Sequence, residues 1–217
     1  MSKQFAGILA VIVLVLGGIF LATSNNGPSS SSSAKPTNHV EGSTSTGVKL
    51  IEYGDYECPF CGQFYPLVKQ IAEQYKDQIQ VQFRNLPLTQ IHKNAFAGAR
   101  AAEAAALQNK FWQMHDTLYE NQDPNGKQGW VVSDNPLDQY FVGFATTIGL
   151  NIAQFKTDYA SSKVNDAILA DLSTFKKTGL DESTPTFFLD GKQIKPTYSI
   201  TDFQKAIDTE IKAKTGK

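Results

Sequence analysis

Cysteine is almost missing from this chain: there are two in 217 residues, Cys58 and Cys61. That excludes a framework of several disulfides and leaves either one local bridge or none. Histidine is nearly as scarce, and His39, His92 and His115 show no ligand spacing with the cysteines. A zinc site needs two further ligands, so no metal is expected. Neither sign of charge is in excess: 20 Lys+Arg stand against 21 Asp+Glu, a formal net charge of −1. No broad positive field exists for a polyanion, and nucleic acid is set aside as a partner. There is no internal repeat.

What is present is a composition 41% apolar, enough for one well-packed domain with appendages. Long apolar runs are confined to the beginning. Phe5 to Ala22 carries no charge and follows Lys3, and it is long enough to span a bilayer core at about 1.5 Å per residue. It exceeds the roughly 7–15 residues usual for a cleavable signal, although Ala22-Thr23-Ser24 offers the small residues of a cleavage site. Residues 1–22 are therefore expected to be a single-pass anchor or a signal segment, with the remainder extracytoplasmic, or secreted if cleavage occurs. Outside the cytoplasm a disulfide persists. Residues 23–47 are rich in Ser, Thr, Asn, Gly and Pro and are expected to form a flexible linker.

The folded part should begin with a buried strand over Val48–Tyr53, ended by Gly54-Asp55. A helix is predicted from Pro59 to Lys76. Ile79, Val81 and Phe83 then alternate with Gln80, Gln82 and Arg84, the period of a strand with one face buried. Strand, helix, strand over this distance implies a right-handed crossover and parallel pairing, hence an α/β fold. From about residue 90 to 178 the pattern is helical, with segments at Ala95–Leu107 and Phe111–Asn121 and others after a break at Asn125–Gly129. Strands return at Thr186–Leu189 and Lys192–Ile194 around an Asp190-Gly191 turn. A last helix is expected from Thr201, capped by its hydroxyl with Gln204 three residues on.

Cys58-Pro59-Phe60-Cys61 falls after a strand and turn and at the start of a helix, the context in which such a pair is redox-active. Pro59 suits the first helical position, where its missing N–H has no use, and this places Cys58 at the cap. There its sulfur faces free backbone N–H groups and the positive end of the helix dipole, which favour an exposed, ionised thiolate. Cys58 is the expected attacking sulfur. Cys61, one helical turn on, closes the bridge and resolves mixed disulfides. A purely structural bridge is the bland alternative, but enclosing two residues removes little unfolded-chain entropy.

The run Leu50-Ile51-Glu52-Tyr53-Gly54-Asp55-Tyr56-Glu57-Cys58-Pro59-Phe60-Cys61 resembles the active-site segment of DsbA-like thioredoxin-fold oxidoreductases, especially the membrane-linked Gram-positive type. His92–Ala95 through Phe111–Asp116 resembles the start of that family's helical insertion, and Ser183-Thr184-Pro185-Thr186-Phe187-Phe188 its cis-proline loop. The likeness implies a thioredoxin fold with an all-helical insertion between a βαβ half and a ββα half. It implies that Thr184 and Pro185 lie opposite the cysteines and pair with an extended substrate. It puts Glu52 at a buried-acid position, where it exchanges a proton with Cys61; the alternative is a strand-end glutamate reaching solvent. No cofactor is needed, because the two sulfurs carry the electrons. Implied partners are exported thiol-containing proteins and a quinone-linked membrane oxidase of the DsbB or vitamin K epoxide reductase-like kind.

One departure concerns tuning. The strong oxidants of that family carry histidine where this chain has Phe60, and a phenyl ring donates no hydrogen bond to a thiolate. Glu57 adds a neighbouring negative charge that should raise the Cys58 thiol. A less extreme oxidant is expected, and the reverse direction of flow, as a reductase or isomerase, stays open. So does a membrane-tethered peptide-binding protein with a stable bridge.

Overall fold

A computed structural model describes residues 34–123 and 129–216. Its centre is the crossover that the alternating residues demand: strand β2 (Val48–Gly54), helix α1 (Pro59–Gln74) and strand β3 (Ile79–Asn85), with β2 and β3 parallel and Leu50 opposite Val81. Strand β4 (Thr186–Leu189) runs antiparallel to β2, and β5 (Lys192–Ile194) antiparallel to β4. The turn between β4 and β5 has positive φ at both Asp190 (47°) and Gly191 (79°), the conformation that an Asp-Gly pair favours. Helix α7 (Ile200–Thr215) returns over the sheet.

Alternation divides β2 between two cores. Val48 and Leu50 face α1 and α7 with Val68, Ile71, Phe203 and Ile207, whereas Tyr53 joins Leu86, Leu88 and Phe175 on the opposite face. Between β3 and β4 the chain is helical: α2 (Ala95–Ala106), α3 (Phe111–Glu120), a 3₁₀ turn at Trp130–Val132, a π turn at Leu137–Phe141 leading into α4 (Val142–Thr147), α5 (Ile152–Tyr159) and α6 (Ser162–Lys176). This insertion has a core of its own around Met114, Trp130, Phe141 and Phe155. Gly98 in α2 lets Trp130 approach so closely that a Cβ there would lie 2.8 Å from its ring.

Two expectations need correction. The segment read as linker through residue 47 is ordered at its end: β1 (His39–Gly42) pairs antiparallel with β3, His39 opposite Phe83, making the sheet order β1-β3-β2-β4-β5. Polar contacts hold it. Asp171 of α6 accepts from the Thr37 backbone N–H at 2.8 Å and the Thr37 hydroxyl at 2.6 Å. Asp171 also accepts from the Asn85 N–H at 2.9 Å, and Asn85 Nδ2 donates to Glu103 at 2.6 Å. His39 contacts the same Glu103 at 2.9 Å and stacks on Phe111 with ring centroids 3.5 Å apart. Counting large apolar side chains missed a segment anchored by hydrogen bonds. The second correction concerns α7, which starts at Ile200 rather than Thr201; its first turn is fastened by the Asp202 carboxylate, which accepts from both the Thr197 N–H and hydroxyl. Gln204 instead reaches Gln74. The predicted anchor, residues 1–22, lies outside the described residues. Among those described, no helix is long and apolar enough to cross a membrane.

Candidate active site

The site stands where β2 ends and α1 begins. Cys58 is the N-cap of α1, extended at φ −65° and ψ 121°, and Pro59 occupies the first helical position. The turn before it is tied down by Asp55, buried at 1% exposure. Its carboxylate accepts from the N–H groups of Glu57 (2.8 Å) and Leu88 (2.9 Å) and contacts His92 Nδ1 at 2.7 Å. The Asp55 N–H points at Cys61 Sγ, 3.5 Å away. His92 is thus a brace for the motif.

Gln122, beyond the end of α3, donates through Nε2 to the carbonyls of Tyr56 (2.8 Å) and Cys58 (2.9 Å). The insertion therefore grips the motif's backbone directly. Neither Gln122 nor Asp55 announces this in the sequence, since both act through main-chain groups that no residue pattern records.

Both cysteines are free thiols. Across from them the Thr184–Pro185 peptide bond is cis, and the Thr184 carbonyl oxygen lies 3.5 Å from Cys58 Sγ. The structure thus brings the Thr184–Pro185 loop beside the cysteine pair. The Cys58 sulfur, expected to be exposed, is covered: Cys58 retains 4% of its surface, while Phe60 beside it is 63% exposed. The loop carrying Thr184 covers the sulfur, and the phenyl ring projects outward instead.

The two thiols differ sharply. Cys58 is lowered from 9.0 to about 6, chiefly because the Cys61 thiol donates to its thiolate, working against burial. The Thr184 side chain and the N–H groups of Cys61 and Phe60 add to the effect. The Thr184 carbonyl opposes it, since it can only accept from a protonated thiol, whereas the buried Thr184 hydroxyl has no protein hydrogen-bond partner and can turn toward the thiolate. The Glu57 carboxylate accepts from the Asn94 N–H and burial raises its pKa; it is not among the leading influences on Cys58. Cys61, 0% exposed, is pushed well above its ordinary value by burial and then by Cys58.

Glu52 is buried at 3% exposure, with Oε1 lacking a protein partner. Burial, then the Cys58 charge, raises its carboxyl to about 8. It therefore does not reach solvent from a strand end. It borders a cleft of about 790 Å3 whose walls include Tyr65, Lys69, Phe83, His115 and Asp116.

A thioredoxin family model matches residues 34–209 of the chain. The chain belongs to the thioredoxin family. The match starts at residue 34, so it takes in β1 as well as the predicted strands. Among solved structures, this thioredoxin-family protein resembles oxidised BdbD from Bacillus subtilis, with a TM-score of 0.68, 23% identity, and coverage of 82% of this chain and 97% of that one. Wolbachia pipientis α-DsbA1 gives a TM-score of 0.64 at 21% identity, covering 83% and 94%. These likenesses establish the fold alone. Curated relatives include the Na(+)/H(+) antiporter NhaA 1 of Mycobacterium sp. (strain KMS), 34% identical over 172 residues, which is 78% of this chain and 26% of that protein. NhaA 1 of Salinispora arenicola is 34% identical over 174 residues, 78% of this chain and 24% of that one. The chain spans about a quarter of the length of these relatives.

Proposed function

We propose that this protein is an extracytoplasmic thiol:disulfide oxidoreductase that introduces disulfides into exported proteins through Cys58 and Cys61. The observation that carries the reading is the split between the two sulfurs: Cys58 held down to about 6 at a helix cap, and Cys61 buried and held well above its ordinary value one turn later. A structural bridge has no use for that asymmetry. In exchange, a substrate thiolate attacks Cys58 Sγ, a new S–S bond forms and the Cys58–Cys61 bond breaks. Cys61 leaves with the electron pair and needs a proton, for which Glu52, raised to about 8, is a poised donor. A second substrate thiol then displaces Cys58, releasing oxidised substrate and the dithiol enzyme.

Thr184 and Pro185 offer the substrate strand a backbone edge beside Cys58, and the Thr184 carbonyl at 3.5 Å supports that role. Pro59 and Phe60 tune the pair. Localisation at the membrane through residues 1–22, and reoxidation by a quinone-linked oxidase of the DsbB or vitamin K epoxide reductase-like kind, belong to the same reading. Relatives in which a similar segment forms part of a Na(+)/H(+) antiporter support a membrane setting.

A thiol lowered to about 6 lies between the roughly 3.5 of DsbA and 7 of thioredoxin. That keeps the reductase or isomerase direction in view. The equilibrium reduction potential in glutathione buffers, read by thiol alkylation, decides: a value above about −180 mV supports a disulfide donor, and one near −270 mV a reductase. A bridge resisting reduction below about −300 mV is structural and ends the oxidoreductase reading.

A further inference from the structure

The cleft of about 790 Å3 that Glu52 borders lies between α1, α3 and the strands β1 to β3. The sheet register explains which side chains reach it. Glu41 of β1 stands opposite Val81, and Glu52 of β2 opposite Phe83, so both carboxylates lie on the face of the sheet that α1 covers. Strand spacing and rise put their Cα atoms about 12 Å apart. Between them the lining is apolar, with Val68, Val81 and Phe83, and the rings of Tyr65 and Trp112 stand in the wall. The cations of the cleft are already engaged: Lys69 Nζ lies 2.8 Å from Asp116, and Lys76 Nζ 2.7 Å from Glu73. Glu41 is raised by burial and by Asp116, against which Lys69 works as the smaller influence. Glu52, only 3% exposed, lines the cleft with Oε1 lacking a protein partner. Two carboxylates at the ends of an apolar, aromatic-walled cleft, with no cation left to answer them, are a setting for a ligand that carries positive charge at both ends.

We propose that this cleft binds an aliphatic diamine, with one ammonium on Glu52, the other on Glu41, and the methylene chain laid across Val81 and Phe83 beside Tyr65 and Trp112. The site is independent of the oxidoreductase reading. A hard metal ion needs six or more oxygens converging at about 2.3–2.6 Å, which two carboxylates so far apart do not supply. An ammonium is content with one carboxylate and gains from an aromatic face. A lysine side chain of a bound peptide carries a single ammonium and answers only one of the two acids. Binding moves a proton. Glu52 is raised to about 8, so at pH 7 its carboxyl is mostly protonated; the ammonium keeps its protons, and the carboxyl gives its own to solvent as the ion pair forms. The titratable groups facing Glu52 supply no competing cation. Cys58 and Cys61 on the motif are neutral or negative, burial holds Tyr56 and Tyr119 neutral, and it lowers His115 on α3.

Isothermal titration of the full chain with cadaverine at pH 7, repeated in two buffers of different ionisation heat, reads affinity and proton release together. Expected are saturable one-to-one binding and the release of close to one proton. Affinity should fall at least tenfold in Glu41→Gln and in Glu52→Gln, with proton release abolished in Glu52→Gln and kept in Glu41→Gln. Pentylamine, which stands in for a lysine side chain, should bind at least tenfold more weakly than cadaverine. Equal affinity for the two amines overturns the two-ended site. Binding that both variants leave unchanged marks the diamine as adventitious and overturns it too, as does an absence of saturable binding. Calcium chloride that displaces cadaverine, and itself depends on both carboxylates, overturns it in favour of a metal. Should Glu52→Gln not fold, Glu41→Gln, at the outer end of the cleft, is held to the same loss of affinity.

Discussion

Among the described residues, two of the places that bury carboxylates treat them in opposite ways. Where β1 meets the insertion, Asp171 and Glu103 are enclosed by donors: Thr37, Asn85 and His39 all point at them. At the end of β2, Glu52 lies equally deep, yet Oε1 finds no protein partner. A charge that is fully hydrogen-bonded holds its surroundings in place, while one left unsatisfied changes its protonation with small changes nearby. The first arrangement fastens a strand, and the second is suited to a proton that comes and goes.

The largest expected effect tests the fastening side. Asp171→Ala strands the Thr37 and Asn85 donors and should cost about 3–5 kcal/mol in urea denaturation, with the Cys58 titration unmoved. A shifted Cys58 would show that the two regions are not separate. Glu52→Gln tests the other side. The Glu52 carboxyl is raised from 4.5 to about 8 in the folded protein, so folding favours its protonated form and the native state loses stability as pH climbs through that window. The variant should therefore melt higher than the parent by a few kcal/mol above pH ~8, and equally below pH ~4.5. Equal melting at pH 9 would mean that the carboxylate is satisfied after all.

Smaller effects sharpen the account of Cys58. Thr184→Val deletes a hydroxyl that helps to hold the thiolate and should raise the thiol by about one pH unit in the pH dependence of alkylation. An unmoved midpoint would assign the stabilisation to Cys61 and the helix N–H groups alone. Phe60→His should lower the thiol and raise the reduction potential by less than about 30 mV. The change is kept small because residue 60 projects into solvent at 63% exposure. No change in potential would detach the Phe60 position from tuning.

Most of the central frame was readable in the residues because local rules decided it. The alternation in Ile79–Phe83, the Asp190-Gly191 turn and Pro59 after Cys58 each have one comfortable conformation, and β3, the β4–β5 hairpin and α1 follow them. The strand at His39–Gly42 was hidden, since its neighbours in space are Asp171 and Glu103, far along the chain. The same distance concealed Gln122. The sequence by itself determined the chemistry available, two cysteines one helical turn apart at the start of a helix. Only the tertiary structure decided how that chemistry is set. The pKa of a thiol or carboxyl depends on burial and on donors brought from Thr184 and Asp55, and those meet the motif only when the chain has closed around it.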